Sequence, residues 1–207
     1  MTYEEALGYL KQIPNLKITL SGDIGSGKST FSKRLSATLG IDRIYIGQLM
    51  REEAQRRGMT LDDFNELLKI DKTIDQEIDL AQRKKAEGYK KVIFEGRTSW
   101  YFVENADLKI FLKVNPDIAA QRVWGDNDNH LRDTYSSIEQ IVEANKARKE
   151  NEIARYKALY NINIADERNF DLIIDTSNTG IEETFRDSLV SIAQFMKQKQ
   201  DLTNISE

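Results

Sequence analysis

Short apolar runs separated by longer stretches of helical period mark this chain from end to end. Lys17-Ile-Thr-Leu20, Val92-Ile-Phe94, Leu108 to Val114 and Leu172-Ile-Ile174 read as strands, and Ile44-Tyr-Ile46 is a weaker run of the same kind. Runs as continuous as Val92-Ile-Phe94 suit strands buried on both faces of a parallel sheet. Between them the pattern predicts helices. Thr2 with Glu5 is a capping-box pair, opening a first helix that stops before Pro14. A second spans Lys28 to Leu39 and closes on Gly40. Gln48 to Arg57, Leu61 to Ile70 and Ile74 to Glu87 follow, punctuated by Gly58 and Gly88. Asn115-Pro116-Asp117 starts a helix to about Trp124, Ser136 with Glu139 caps one to about Tyr160, and Ile181 to about Lys197 is the last. Gly125 to Tyr135 is crowded with Asp and Asn, carries no period, and predicts a loop. No internal repeat is visible. Strands alternating with helices predict an α/β fold with a five-stranded parallel sheet covered on both faces. Such a sheet does not by itself say what the protein does.

At 207 residues and 40% hydrophobic, the chain has enough apolar material for one domain with its own core, residues 1–207. Composition then excludes chemistries. With no Cys there are no disulfides, thiolate metal sites or Cys nucleophile, and a single His, His130, rules out His-rich zinc sites and a His-based triad. No apolar run approaches a membrane span, and Met1 to Ile13 shows no secretory signal core. Thirty Lys+Arg against 34 Asp+Glu leave a net charge of −4, which argues against wholesale nucleic-acid binding. A cytoplasmic monomer without nucleic-acid or membrane partners is expected. Its chemistry must run on Arg, Lys, carboxylates, hydroxyls and backbone.

Gly22-Asp23-Ile24-Gly25-Ser26-Gly27-Lys28-Ser29, followed by Thr30, fits G-x-x-x-x-G-K-[ST] at every fixed position, directly after a strand and at the start of a helix. Glycines let backbone N–H groups turn onto phosphate oxygens, and the helix N-terminus adds its positive end. Lys28 can reach the β- and γ-phosphates of a nucleotide such as ATP, and the Ser29 hydroxyl can ligate Mg²⁺. Glu95, ending the Val92-Ile-Phe94 run, is the expected second magnesium-side residue; Asp23 is a competing carboxylate. The guanine-reading N-K-x-D element is missing, since Asn145-Lys146-Ala147-Arg148 lacks the Asp and sits in a helix, which disfavours a GTPase. Asp126-Asn-Asp128-Asn129 hints at calcium, but the loop has no Gly at its sixth position and no Glu at its twelfth.

Moving a phosphoryl group onto a phosphate acceptor gathers negative charge in one cleft, and Arg forks neutralise it best. Arg51, Arg97, Arg122, Arg148 and Arg155 are placed for that task. Arg148, Glu152 and Arg155 share one helix face at i, i+4 and i+7; read alone, they make an ordinary ion pair on a solvated face.

Taken in order, the P-loop, Tyr45-Ile-Gly47-Gln48-Leu-Met-Arg51, Arg56-Arg57-Gly58-Met59, Glu95-Gly96-Arg97, Ala106 to Leu112, Arg148-x₃-Glu152-x₂-Arg155-Tyr156 and Asp171 to Thr176 resemble the cytidylate kinases, particularly their compact archaeal-type branch. The likeness spans roughly residues 16 to 190. It implies a P-loop nucleoside monophosphate kinase fold, a three-layer α/β/α sandwich of strand order 2-3-1-4-5, with a helical acceptor-binding part at 47–90 and a closing lid at 125–135. It also implies Mg²⁺- and ATP-dependent phosphorylation of CMP or dCMP. Arg51 and Arg97 would hold the acceptor phosphate, Arg122 would face ATP, Arg148 and Arg155 would bridge both phosphates, and Glu152 would help hold the nucleoside. Two positions depart from the family pattern: Tyr45 stands where a small residue, often Ser, is common, and Gln48 where an acidic one is. They leave the phosphate machinery intact and bear on the acceptor, so UMP, AMP or another phosphate acceptor is the alternative. A P-loop module that binds ATP without catalysis is the alternative of another class.

Overall fold

The computed structural model describes residues 1–125 and 135–205. Its strands are β1 (Leu16–Gly22), β2 (Asp42–Tyr45), β3 (Lys91–Glu95), β4 (Leu108–Lys113) and β5 (Leu172–Asp175). Among the described residues all pair in parallel as one sheet, in the order β2-β3-β1-β4-β5. Parallel pairing puts every carboxyl end on one edge, and the register sets Glu95 beside Leu20 on one side and Tyr45 on the other. The helices are α1 (Tyr3–Gln12), α2 (Lys28–Leu39), α3 (Ile46–Arg56), α4 (Leu61–Ile70), α5 (Lys72–Glu87), α6 (Ser99–Phe102), α7 (Pro116–Trp124), α8 (Ile138–Tyr160) and α9 (Ile181–Ile205).

The two-residue period of β3 divides the core. Ile93 points to the face covered by α1, α2 and α9, where Leu10, Leu35, Phe185 and Leu189 pack. Val92 and Phe94 point to the other face, against Ile44, Ile46 and Ala86. Val92, Ile93 and Phe94 are fully buried, contributing about 1.5–3 kcal/mol each. Helices α3 to α5 carry a small cluster of their own, with Ala54, Phe64, Leu68 and Ile74 buried together. Among the described residues no helix is long and apolar enough to cross a membrane.

Several boundaries differ from the sequence expectation. Strand β2 begins at Asp42, because pairing with β3 defines this edge strand more than its own hydrophobicity, and Ile46 becomes the first residue of α3. The cap of α8 is Ser137, one residue later than expected: its hydroxyl accepts the Gln140 N–H at 3.3 Å, while Gln140 reaches back to Ser136. Helix α6, four residues long, is too short to show a period. Helix α9 runs past Lys197 to Ile205. The expected lid at 125–135, His130 included, lies outside the described residues apart from Gly125 and Tyr135.

Candidate active site

The phosphate loop joins β1 to α2 and is pinned against the next strand and helix. Asp23 donates its N–H to Leu112 O at 2.9 Å. At Gly25 φ is +76°, and a Cβ would lie 2.8 Å from that of Ala119 in α7. Only glycine therefore fits where loop and helix touch. Helix α2 has no side-chain cap at Gly27, so its first N–H groups remain available to an anion. Lys28 donates to Asp23 O, within the loop, and to Ser26 Oγ at 3.5 Å. Burial, and after it the Arg97 guanidinium, pushes the Lys28 ammonium well below its usual range, against a weaker pull from Glu95, Glu152 and Asp23. A phosphate bound here would bring negative charge to this buried ammonium.

Glu95 closes β3 at the cleft with its side chain only 3% exposed. Its Oε2 accepts from Ser32 Oγ at 2.5 Å and from Arg43 Nη2 at 2.5 Å. The same Arg43 nitrogen reaches Ser29 Oγ at 2.9 Å. A positive group thereby sits on both of the oxygens that the sequence suggests for Mg²⁺. Asp23 is engaged elsewhere: one oxygen pairs with Lys149 Nζ at 2.6 Å and the other accepts the Val114 N–H. The competing carboxylate thus ties the loop to α8.

Arg97, just past β3, donates to Gly22 O and pairs with Glu152 Oε2 at 2.7 Å. Arg148 reaches the other Glu152 oxygen at 3.2 Å. Burial pushes the Glu152 carboxyl up, but Arg97, Arg148 and Arg155 together outweigh it and hold the group below its usual range. The face that looked solvated in isolation is therefore closed by a residue from another segment, and Glu152 is only 14% exposed. Arg122 clamps Thr176 through its hydroxyl at 3.1 Å and its carbonyl. A cleft of about 660 Å³ runs between these groups, lined by residues 24–30, Glu95, Arg97, Arg122 and Arg148. Among the described residues Arg51 and Arg155 do not line it. Arg51 lies over the Tyr45 ring, 5.0 Å from its centre, and Arg155 over the Tyr156 ring at 4.8 Å.

Sequence reasoning missed Arg43, Ser32 and Lys149, whose partners lie far along the chain. It also missed a buried polar network in which Asp79 accepts from Thr98 Oγ1 at 3.0 Å, Gln82 Nε2 at 2.9 Å and Tyr160 OH at 2.7 Å. Ser99 Oγ adds a bond to Gln82 Oε1 at 2.8 Å. The network fastens α5 and α8 to the segment that follows Arg97. The one signal for it was an Asp and a Gln at i and i+3 on the inner side of a helix.

Cations around an uncapped helix N-terminus, facing one buried carboxylate across a strand boundary, suit phosphoryl transfer between two phosphate-bearing molecules. On a sheet of this order they define a P-loop kinase. The family described as AAA domain matches residues 18–154. A cytidylate kinase of Methanothrix thermoacetophila is 39% identical over 84% of this chain and 96% of its own, and one from Archaeoglobus fulgidus 33% over 81% and 89%. The shikimate kinase structure from Bacteroides thetaiotaomicron superposes with a TM-score of 0.62 at 16% identity, covering 88% of this chain and 98% of that one, a likeness of fold. The chain belongs to the cytidylate kinase family, and residues 18–154 to the AAA-domain family.

Proposed function

We propose that this enzyme transfers the γ-phosphoryl group of ATP to CMP or dCMP, giving ADP and CDP or dCDP. The observation that carries the reading is the convergence of Lys28, Arg97, Arg122 and Arg148 on one cleft at the carboxyl edge of the sheet, in a member of the cytidylate kinase family. The backbone of residues 22–30 and the start of α2 hold the donor phosphates, and Lys28 supplies charge to the β- and γ-phosphates. Arg97 holds the acceptor phosphate, joined by Arg51 once it turns from the Tyr45 ring into the cleft. Arg122 serves the donor side, Arg148 spans both phosphates together with Arg155 once it turns from the Tyr156 ring into the cleft, and Glu152 helps hold the nucleoside. Little covalent work falls to the protein; positioning and charge neutralisation lower the barrier.

Ser29 and Glu95 would hold Mg²⁺. Their oxygens are the hard donors that this ion prefers, and the single Arg43 nitrogen that touches both indicates that one cation can serve the pair. When bound, Mg²⁺ would supply neutralisation of the charge on the nucleotide phosphates.

One observation favours a second acceptor. The Tyr45 ring lines the cleft, and a Cβ on Gly47 would lie 2.7 Å from it, so a bulky group fills space on the acceptor side. A coupled ADP assay with Mg-ATP and CMP, dCMP, UMP or AMP separates the readings. The expected result is the highest kcat/KM with CMP or dCMP. A clear preference for UMP or AMP would favour the second reading, and turnover that no acceptor stimulates would leave an ATP-binding module.

A further inference from the structure

Arg43 is held more firmly than its place on an edge strand requires. Its Nε donates to Ser32 Oγ at 2.6 Å and to Glu95 Oε2 at 3.0 Å, and its Nη2 bridges Glu95 and Ser29. The side chain is 14% exposed. Ser29 and Glu95 are the residues assigned above to Mg²⁺, so the following inference rests on that reading. The guanidinium and a divalent ion want the same two oxygens, and with one carboxylate between them both cations cannot be neutralised at once. The guanidinium also has a second place to go. It lies over the Tyr45 ring, 4.7 Å from the centre, and that ring lines the phosphate cleft. A swing across the ring keeps a cation–π contact while exchanging the carboxylate for a phosphate oxygen.

We propose that Arg43 is a gate on the divalent-cation seat: it fills the space between Ser29 and Glu95 until nucleotide phosphates draw it into the cleft. The ion then enters with the nucleotide and not ahead of it. The gate is a two-state positioning element, and the differential contact that biases it is the new Arg43–phosphate pair. A merely structural counterion for Glu95 would keep its place between Ser29 and Glu95 when nucleotide binds, and the test separates the two.

Mn²⁺ binding to the full chain is measured by electron paramagnetic resonance for the native protein, Arg43→Leu, and Arg43→Leu with Glu95→Gln. If the seat is open less than a tenth of the time without nucleotide, Arg43→Leu binds Mn²⁺ about tenfold tighter or more. The gain disappears in the double variant, and with saturating ADP the native protein and Arg43→Leu converge. Equal or weaker Mn²⁺ binding by Arg43→Leu without nucleotide would overturn the gate. Should Arg43→Leu not fold, the native protein carries the test through the Arg43 Nε–Hε resonance, assigned by its absence in Arg43→Lys. Mg²⁺ alone leaves this resonance in place and Mg-ADP shifts it. A resonance that Mg²⁺ alone moves as far, or that Mg-ADP leaves untouched, contradicts the proposal. A missing acceptor-dependent activity would overturn the kinase reading and leave these readouts standing. Mn-ADP affinity unchanged by Glu95→Gln would remove the seat, and the gate with it.

Discussion

Replacing Glu152 with Gln keeps the shape of the side chain and removes the charge that Arg97, Arg148 and Arg155 share. The loss can be sized from the geometry. Breaking a fully buried pair from one side costs about 3–5 kcal/mol, and an exposed pair about 0–1. The Arg97–Glu152 pair, at 2.7 Å with side chains 21% and 14% exposed, falls between these limits, whereas Arg148 at 55% adds little. A destabilisation of about 2 kcal/mol follows, or a Tm lower by about 4–8 °C for a domain of this size. Because the Glu152 carboxyl is held below its usual 4.5, its contribution is complete above that value and is lost as pH falls through the lowered one. The Tm gap between native protein and variant therefore closes below pH 4.5. Millimolar pyrophosphate should raise the Tm of the variant more than that of the native protein, since the freed guanidiniums bind an anion that Glu152 otherwise opposes. Thermal melts at pH 7 and pH 4, with and without pyrophosphate, provide the assay. A variant melting within about 1 °C of the native protein, or gaining less from pyrophosphate, would refute the idea that these residues form one anion site.

Lys28→Ala should lower kcat by roughly 10² or more in a coupled ADP assay, because a transition-state charge contact is lost. Lys28→Met should meanwhile raise the Tm at neutral pH. Lys28 is depressed on folding, so the cost of burying it is full below its folded value and fades as pH climbs toward 10.5, and the gain in Tm should shrink along that range. Ala119→Leu, which crowds the wall against Gly25, should weaken ADP binding measured by calorimetry, with little change in the circular dichroism spectrum. Tyr45→Ser should change the ratio of kcat/KM values among CMP, UMP and AMP more than it changes kcat with the preferred acceptor; equal scaling for all three would remove Tyr45 from the acceptor site.

Local signals were readable to the residue. Helix α2 runs from Lys28 to Leu39, and Gly40 takes φ +67° behind it, as the glycine loop and glycine stop imply. Glu95 follows its apolar triplet onto the edge beside the P-loop because parallel strands share a direction. Arg43 was hidden for a physical reason. Its partner Glu95 is 52 positions away, and their meeting depends on the β2–β3 register, which an apolar triplet starting at Ile44 does not reveal. Extending that strand by two residues would have put Arg43 and Tyr45 on one face, the only local clue. Arg148, Glu152 and Arg155 show the same limit: helical spacing found their common face, but it takes Arg97, just past the end of β3, to turn it from surface into cleft.

A common design runs through the site. The carboxylate assigned to the cation is held by Arg43, and two of the arginines assigned to phosphate, Arg97 and Arg148, are held by Glu152, so these groups keep internal partners of opposite sign. Substrate phosphates and their ion would replace these partners in one exchange. The central claim is that the exchange ends in phosphoryl transfer to a cytidine monophosphate. Phosphorus NMR of the purified full chain with Mg-ATP and CMP tests it most directly. The account predicts CDP and ADP resonances growing in equal amounts with no inorganic phosphate; inorganic phosphate without CDP, or unchanged ATP, would contradict it.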